Sequence, residues 1–354
     1  MTKIIHTADI HLGSSMQARL PQSKADERKT ELRQAFNKML DYAKKAGVKI
    51  ILLSGDVFDS DRPSKKDKEF FYSAIKSNPD IDFLYLRGNH DRAESYTESD
   101  IANLKTFSSE WSYYRYGRIC IAGAEMTDDN ADILYRSLQL GAADINIVML
   151  HGQVGDYRDS DICIPRLKGK NIDYLALGHI HSYDKFPLDD RGVCVYSGCL
   201  EGRGFDEAGQ KGFVCLQIDD GISDEFVINS IRTVNRLQVD LSGTSDLYSA
   251  CRKAEEAVKG LGRDIVRLEL TGEIDFDAEG LAAEIEKALE NECYFLSAKD
   301  MTSRRIDIER LRGDISLRGE FIRRVLSNTG YDEAYRSKII SLGLRALNGR
   351  ELDI

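Results

Sequence analysis

Short apolar runs, each broken off by glycine, histidine or a carboxylate, recur through the first half of the chain. They are Ile4 to Ala8, Ile50 to Leu53, Phe83 to Leu86, Ile145 to Leu150 and Tyr174 to Leu177, and their near-continuous apolarity predicts largely buried strands. Between them, Lys24 to Lys45, Ser64 to Lys76 and Asp128 to Leu140 carry an apolar stripe among charged residues, the pattern of an amphipathic helix. Strand and helix alternate to about residue 232, which predicts an α/β domain. The turn Asp219-Asp220-Gly221 precedes a last strand, Glu225 to Ile231, and the pattern then changes. Arg236 to Leu241, Ile265 to Leu270 and Cys293 to Ala298 predict strands, and Asp246 to Lys259 and Asp277 to Glu290 predict helices. Helices over Leu317 to Ser327 and Asp332 to Leu347, parted by Asn328-Thr329-Gly330, close the chain. The expected organisation is a first domain over 1–235, a smaller α+β cap over 236–312 and C-terminal helices over 313–354.

Composition narrows the function classes. With 354 residues and 42% hydrophobic content the chain can bury a large core, and no long uncharged apolar stretch suggests a membrane span, so a cytoplasmic protein is expected. A net charge of -10 argues against holding nucleic acid by bulk electrostatics, since nonspecific affinity comes from neutralising phosphates. Local basic stretches remain, at Arg62, Lys65, Lys66 and Lys68 and in the series Arg304, Arg305, Arg310, Arg312, Arg318, Arg323 and Arg324. The first reads as a solvated helix face. Seven cysteines without a C-x-x-C pair point to packing in a reducing compartment.

The candidate chemistry lies where the strands stop. All six histidines fall between His6 and His181, and five stand among acidic, amide or glycine residues. The apolar runs pass directly into Asp9-Ile10-His11, Gly55-Asp56-Val57-Phe58-Asp59, Gly88-Asn89-His90-Asp91, His151-Gly152 and Gly178-His179-Ile180-His181. In α/β sheets ligands gather beyond the carboxyl ends of strands, so the five sets are expected at one edge of the core. Asp9, Asp56 and Asn89 offer oxygen while His11, His151, His179 and His181 offer imidazole, a mixture suited to manganese, iron or zinc rather than calcium. Asp-x-His and His-x-His spacing on an extended segment would project each pair to one side and into one site. His6 stands inside its strand and is read as a supporting residue, not a ligand.

This ordered set resembles the calcineurin-like metallophosphoesterase family. The resemblance implies a four-layer α/β/β/α sandwich, with Asp9, His11 and His181 holding one metal ion, Asn89, His151 and His179 a second, and Asp56 bridging them. Two divalent ions are implied, manganese first, with iron or zinc as alternatives. Held about 3.5 to 4 Å apart, they would activate a bridging water for in-line attack on a phosphoester. His90 resembles the family histidine that is not a ligand but stabilises the transferring phosphate or protonates the leaving oxygen, with Asp59 orienting it.

Within the family, His6-Thr7-Ala8-Asp9-Ile10-His11-Leu12-Gly13, Ser54 to Asp59 and Tyr196 to Glu207 are most similar to SbcD-type DNA repair exonucleases of the bacterial YhaO-like branch, Cys199 replacing a frequent serine. That resemblance implies cleavage of DNA in repair and recombination, with a coiled-coil, SMC-like ATPase of the SbcC kind as partner. It also suggests a homodimer through Ser64 to Lys76 and Glu98 to Ser109. The apolar faces of the terminal helices, with Phe321, Val325, Ile339, Ile340, Leu344 and Leu347, suit either that partner or packing within the cap. Arg62, Arg92 and Arg203 read either as phosphate contacts or as surface arginines of turns. A phosphodiesterase or phosphatase acting on small nucleotides or phosphoproteins would use the same metal core.

Overall fold

The computed structural model describes residues 1–16, 20–91, 101–155, 161–276, 279–304, 313–328 and 330–347. They form two compact units, the first made of 1–237 with 260–267 and 290–296, the second of 238–259, 268–289 and 297–354. In the first unit, strands β1 (Thr2–Thr7), β2 (Ile50–Ser54), β3 (Asp82–Leu86) and β4 (Leu104–Thr106) run parallel in that order. Next come β5 (Ser112–Tyr116), β6 (Ile119–Gly123), β7 (Ile145–His151), β8 (Tyr174–Gly178), β9 (Asp184–Pro187) and β10 (Val193–Tyr196), which build a second sheet ordered β5-β6-β7-β8-β10-β9. The chain then returns through β11 (Gly212–Ile218), antiparallel to β1, and β12 (Ile222–Ile228), so that the first sheet reads β12-β11-β1-β2-β3-β4.

Strand parity assigns the faces. Ile4, Ile50, Leu52, Leu84 and Leu86 point to the second sheet and pack with Ile121, Ile147, Met149, Tyr174 and Ala176. Their sequence neighbours Ile5, Ile51, Leu53, Phe83 and Tyr85 point the other way, against helices α1 (Gln22–Ala46) and α2 (Lys65–Lys76), where Leu32, Phe36, Met39, Phe71 and Ile75 meet them. On the far face of the second sheet Val148, Leu150, Leu175 and Leu177 pack under Leu134 and Tyr135 of helix α3 (Ala131–Ser137). The result is the α/β/β/α sandwich, with strands buried on both faces as their continuous apolar runs require. Each fully buried Leu- or Phe-sized side chain contributes roughly 1.5 to 3 kcal/mol.

The expected strands occur, with small shifts at their ends, but β4, β5, β6, β9, β10 and β11 go beyond the five runs that announced the domain. Of these, β5 is an edge strand exposed on alternate residues and β9 an edge strand exposed at all but one position, so both carry too little apolar text to stand out. His6, on the inter-sheet face of β1, is fully buried, and its Nδ1 lies 3.0 Å from the Tyr174 hydroxyl. Burial lowers its pKa to about 3, so it packs as a neutral ring between the sheets, in the supporting place expected of it. The cysteines form no disulfide.

Past the sandwich, β13 (Val234–Asp240), β14 (Ile265–Thr271) and β16 (Phe295–Asp300) form a three-stranded sheet, and β15 (Glu273–Ile274) pairs with β17 (Ser303–Arg304). Helix Leu247–Val258 opens on a capping box of Asp246 with Ser249, and Leu281–Ala288 follows Gly280. The terminal helices Leu317–Ser327 and Glu333–Leu347 pack on each other through Ile322, Ile340 and Leu344, flanked by Phe321 and Val325. Much of the apolar stripe is thus spent between the two helices, while Ile315, Leu317 and Leu347 stay exposed. Among the described residues no helix is long and apolar enough to cross a membrane. Arg305, Arg310 and Arg312 of the basic series, and residues 98–100 of the expected dimer segment, lie outside the described residues.

Candidate metal centre

The loops leaving β1 and β2 do not splay apart; they run on side by side. The Asp9 N–H donates to the Gly55 carbonyl at 3.0 Å, His11 to Asp56 at 3.0 Å, Leu12 to Val57 at 2.8 Å, and Asp59 back to Leu12 at 3.1 Å. Asp9, His11 and Asp56 do this with φ near 52°, 52° and 51°, in the left-handed region that a Cβ disfavours. Left-handed kinks, not an extended Asp-x-His segment, therefore bring Asp9 and His11 to one place. Strain of this sort persists where the surroundings hold it, and it concentrates at functional sites.

Close approach explains the glycines. A Cβ on Gly55, which has φ 95°, would lie 2.1 Å from His151 Nδ1, and one on Gly178 would lie 1.9 Å from the Ser54 carbonyl. Gly55→Ala is expected to destabilise the fold by on the order of 3 kcal/mol, from left-handed strain plus overpacking, read as a lower urea midpoint with unchanged slope. A midpoint within experimental error of the wild type would show that the loop relaxes.

Two clusters result, with ligand atoms within 4.8 Å of one another in each: Asp9, His11 and His181, and Asp56, His151 and His179. His179 and His181, two residues apart, thus go to different clusters, because His179 adopts φ 101°. Asp56 lies between them, its Oδ2 3.3 Å from His151 Nε2 and 4.0 Å from His11 Nε2. Asn89 Nδ2 is 3.3 Å from His179 Nδ1. Asp9, His11, Asp56 and His151 form a buried floor, His179 and His181 are half-buried, and Asn89 and His90 are exposed at the rim. A third grouping, His11, Asp59 and His90, adjoins the first.

The donor set fits metal ions. His151 Nδ1 donates to the Ser54 carbonyl at 2.8 Å, which leaves Nε2 buried and without a hydrogen-bond partner beside Asp56. His181 Nδ1 faces Glu207 Oε1 at 2.6 Å and His11 Nδ1 faces Asp59 Oδ1 at 3.0 Å, while the Nε2 atoms of the two rings confront each other at 3.2 Å. Two lone pairs so placed repel unless a proton or a metal ion shares them. Asp9 and Asp56 bury two carboxylates side by side, another arrangement that a cation relieves.

A family model for the calcineurin-like phosphoesterases matches residues 2–183, just over half of the chain. The chain belongs to the calcineurin-like phosphoesterase family. It is a metal-dependent phosphoesterase, and its histidine and aspartate clusters are those in which a dimetal centre of this family is expected. The phosphoesterase is 28% identical over 293 residues to the uncharacterized metallophosphoesterase YhaO of Bacillus subtilis, covering 76% of this chain and 71% of the relative. It is 27% identical over 279 residues to the DNA double-strand break repair protein Mre11 of Sulfurisphaera tokodaii, covering 72% and 69%. The Saccharolobus solfataricus protein of the same name is 26% identical over 212 residues, covering 56% and 54%. A solved dimetal phosphatase from Danio rerio aligns with a TM-score of 0.44 at 9% identity, over 65% of this chain and 99% of that one.

Around Arg203 and Asp59 the phosphoesterase is arranged in a way the sequence did not show. Arg203 is 6% exposed and so is not a surface residue of a turn: its guanidinium donates to Glu207 Oε1 and, at 2.7 Å, to Asp59 Oδ1. Asp59 touches His90 with its main-chain carbonyl, 3.2 Å from Nδ1, because its carboxylate is turned to Arg203 and His11. Arg62 is exposed, and Arg92 lies outside the described residues. Glu207 and Asp91 were assigned no role from sequence. Asp91, fully buried, accepts from the Val57 N–H at 2.8 Å and the Tyr85 hydroxyl at 2.6 Å and so ties the second loop to the third. Its place in Gly88-Asn89-His90-Asp91 was the available signal; Glu207 had none beyond its segment.

Protons compete for the site. Burial lifts Asp9 to about 6, opposed by His151 and His181. Burial works against a charged His151, yet the Asp56 carboxylate beside it raises its pKa to about 9 and is itself held well below the usual carboxylate range. Ligation needs Asp9 ionised and His151 and His181 neutral, and against burial the Glu207 carboxylate raises the pKa of His181, so metal affinity rises with pH. Taken over both ions, the affinity is expected to rise most steeply below pH 6, where Asp9, His151 and His181 all release protons, and to keep rising toward pH 9 while His151 still carries its proton. Titration calorimetry in buffers of different ionisation enthalpy checks this; a pH-independent affinity between 5 and 8 would refute it.

Proposed function

We propose that this phosphoesterase hydrolyses phosphodiester bonds of DNA, as a nuclease subunit in double-strand break repair. Two divalent ions, manganese first, would polarise the scissile phosphate and lower the pKa of the attacking water. On this reading Asp9, His11 and His181 hold one ion, Asn89, His151 and His179 the other, and Asp56 reaches both. The observation that carries the reading is the pairing of two largely buried ligand clusters with an exposed His90 at their rim, its ring centroid 5.1 Å from that of His11. The His90 main-chain N–H donates to Asp56 Oδ1 at 2.8 Å, so the residue that reaches both clusters also places the rim histidine. His90 then donates to the leaving oxygen as charge develops there.

The DNA assignment is supported by the two relatives named as Mre11, a break-repair protein. With a net charge of -10 the chain has little electrostatic hold on DNA, which favours a partner that supplies it. A coiled-coil, SMC-like ATPase of the SbcC kind is the partner we infer, docking on the exposed Ile315 and Leu317 at the start of the terminal helices. The resemblance to SbcD-type exonucleases also leads us to infer a homodimer and a cytoplasmic location. Purified protein with Mn2+ should degrade end-labelled single- or double-stranded DNA, and adding the ATPase should increase the rate. Turnover of a bis-aryl phosphate with no cleavage of DNA, even with the ATPase present, would favour a small-phosphodiester hydrolase, the reading that the acidic charge otherwise suits.

A further inference from the structure

The segment from Cys199 to Lys211 closes around His181. Glu207, 3% exposed, sets Oε1 2.6 Å from His181 Nδ1. Arg203 brings Nε to 3.0 Å and Nη2 to 2.7 Å from that same oxygen, and its main-chain N–H donates to Glu207 Oε2 at 2.7 Å. The third arm of the guanidinium, Nη1, donates at 2.7 Å to Asp59 Oδ1, which lies 3.0 Å from His11 Nδ1. Lys211, 2% exposed, donates from Nζ to the His181 carbonyl at 2.7 Å. Both the backbone and the ring of His181 are therefore held from one segment that lies outside the five histidine and carboxylate motifs.

We propose that Glu207 is a positioning residue that keeps His181 as the Nδ1–H tautomer with its Nε2 lone pair turned to the ion shared with Asp9 and His11, and that Arg203 aims Glu207 and extends the same constraint through Asp59 to His11. The proposal rests on the reading of His181 as a metal ligand. The chemistry is that of a carboxylate behind a ligating imidazole: it selects the tautomer, blocks rotation of the ring and makes Nε2 more basic. An acidic partner for Arg203 is also needed on its own account, because a buried guanidinium without one is costly. That second role is why alanine alone is a poor probe and the isosteric amide is required. Glutamine keeps the Oε1 acceptor for His181 and the Arg203 side chain, while it removes the charge and puts an amide NH2 where Oε2 accepts from the Arg203 main-chain N–H.

The test uses the full chain, stripped of metal and titrated with Mn2+ by calorimetry, with 15N spectra of the histidine rings as a second readout. The wild type should bind in two steps, and its His181 ring should show a protonated Nδ1 and an unprotonated Nε2. Glu207→Gln should weaken one step by about tenfold and Glu207→Ala by up to about 100-fold, each leaving the other step within about twofold and shifting the His181 ring toward a tautomer mixture. If Glu207→Ala does not fold, the glutamine variant decides alone. Wild-type affinity in both steps together with an unchanged tautomer in Glu207→Gln would reduce Glu207 to a packing residue. A control separates this failure from that of the underlying reading: His181→Ala should abolish one step, and if it leaves both intact, His181 is not a ligand.

Discussion

Replacing His90 with alanine is expected to slow phosphodiester hydrolysis by about 10²- to 10⁴-fold, roughly 3 to 5 kcal/mol of barrier, while leaving metal binding intact. The two effects separate because His90 uses different atoms for each. Its main-chain N–H supports Asp56, and alanine retains that group. Its ring stands exposed, with Nδ1 3.2 Å from the Asp59 carbonyl, so Nδ1–H donates inward and Nε2 is left to carry a proton to a leaving oxygen. The loss should be greatest for DNA, whose alkoxide leaving group needs protonation, and smaller for an aryl ester whose phenolate leaves unaided. Calorimetry with Mn2+ and rates on both substrates measure the two halves. An equal loss on both esters would point to stabilisation of the phosphate charge instead of protonation, and an unchanged rate on DNA would remove His90 from the chemistry.

Asp56→Ala is expected to act at the other level, abolishing binding of both ions and with it at least about 10³ of rate. Asp56 Oδ2 is the carboxylate oxygen that faces His151 and His11, one from each cluster, so its loss opens both. It also leaves the buried His151 without the partner that favours its charge, so part of the effect will be on stability. Asp56→Asn, which keeps the shape, separates the two. Wild-type protein should gain about 2.7 kcal/mol of unfolding free energy in Mn2+ at 100 times its dissociation constant, and neither variant should gain any. Stabilisation of Asp56→Asn by Mn2+ equal to that of the wild type would show that Asp56 does not bridge.

Some of the site was legible because its chemistry is local. Asp9, His11, Asp56, Asn89, His90, His151, His179 and His181 each adjoin an apolar run, and the rule that ligands gather beyond strand ends brought them to one edge without further information. What failed was the account of how they get there. The extended-segment argument for Asp9 and His11 assumed ordinary backbone, whereas both residues are left-handed, a state that residue type scarcely signals outside glycine. The burial of Arg203 went unseen for a related reason: an arginine after a glycine looks the same in sequence whether its fork meets solvent or the carboxylates of Asp59 and Glu207.

Sequence by itself determined the alternation of buried strands and amphipathic helices, the two faces of each strand and the donor types available at the strand ends, because these depend on residue identity at spacings of a few positions. Tertiary structure alone decided which donors share a cluster, which ring nitrogen of each histidine is free, and that Glu207 and Arg203 stand behind His181. Those choices depend on contacts between segments as far apart as His11 and His181, or Asp59 and Arg203, where a difference of 1 Å decides whether two groups interact and no periodic pattern in the chain records the distance.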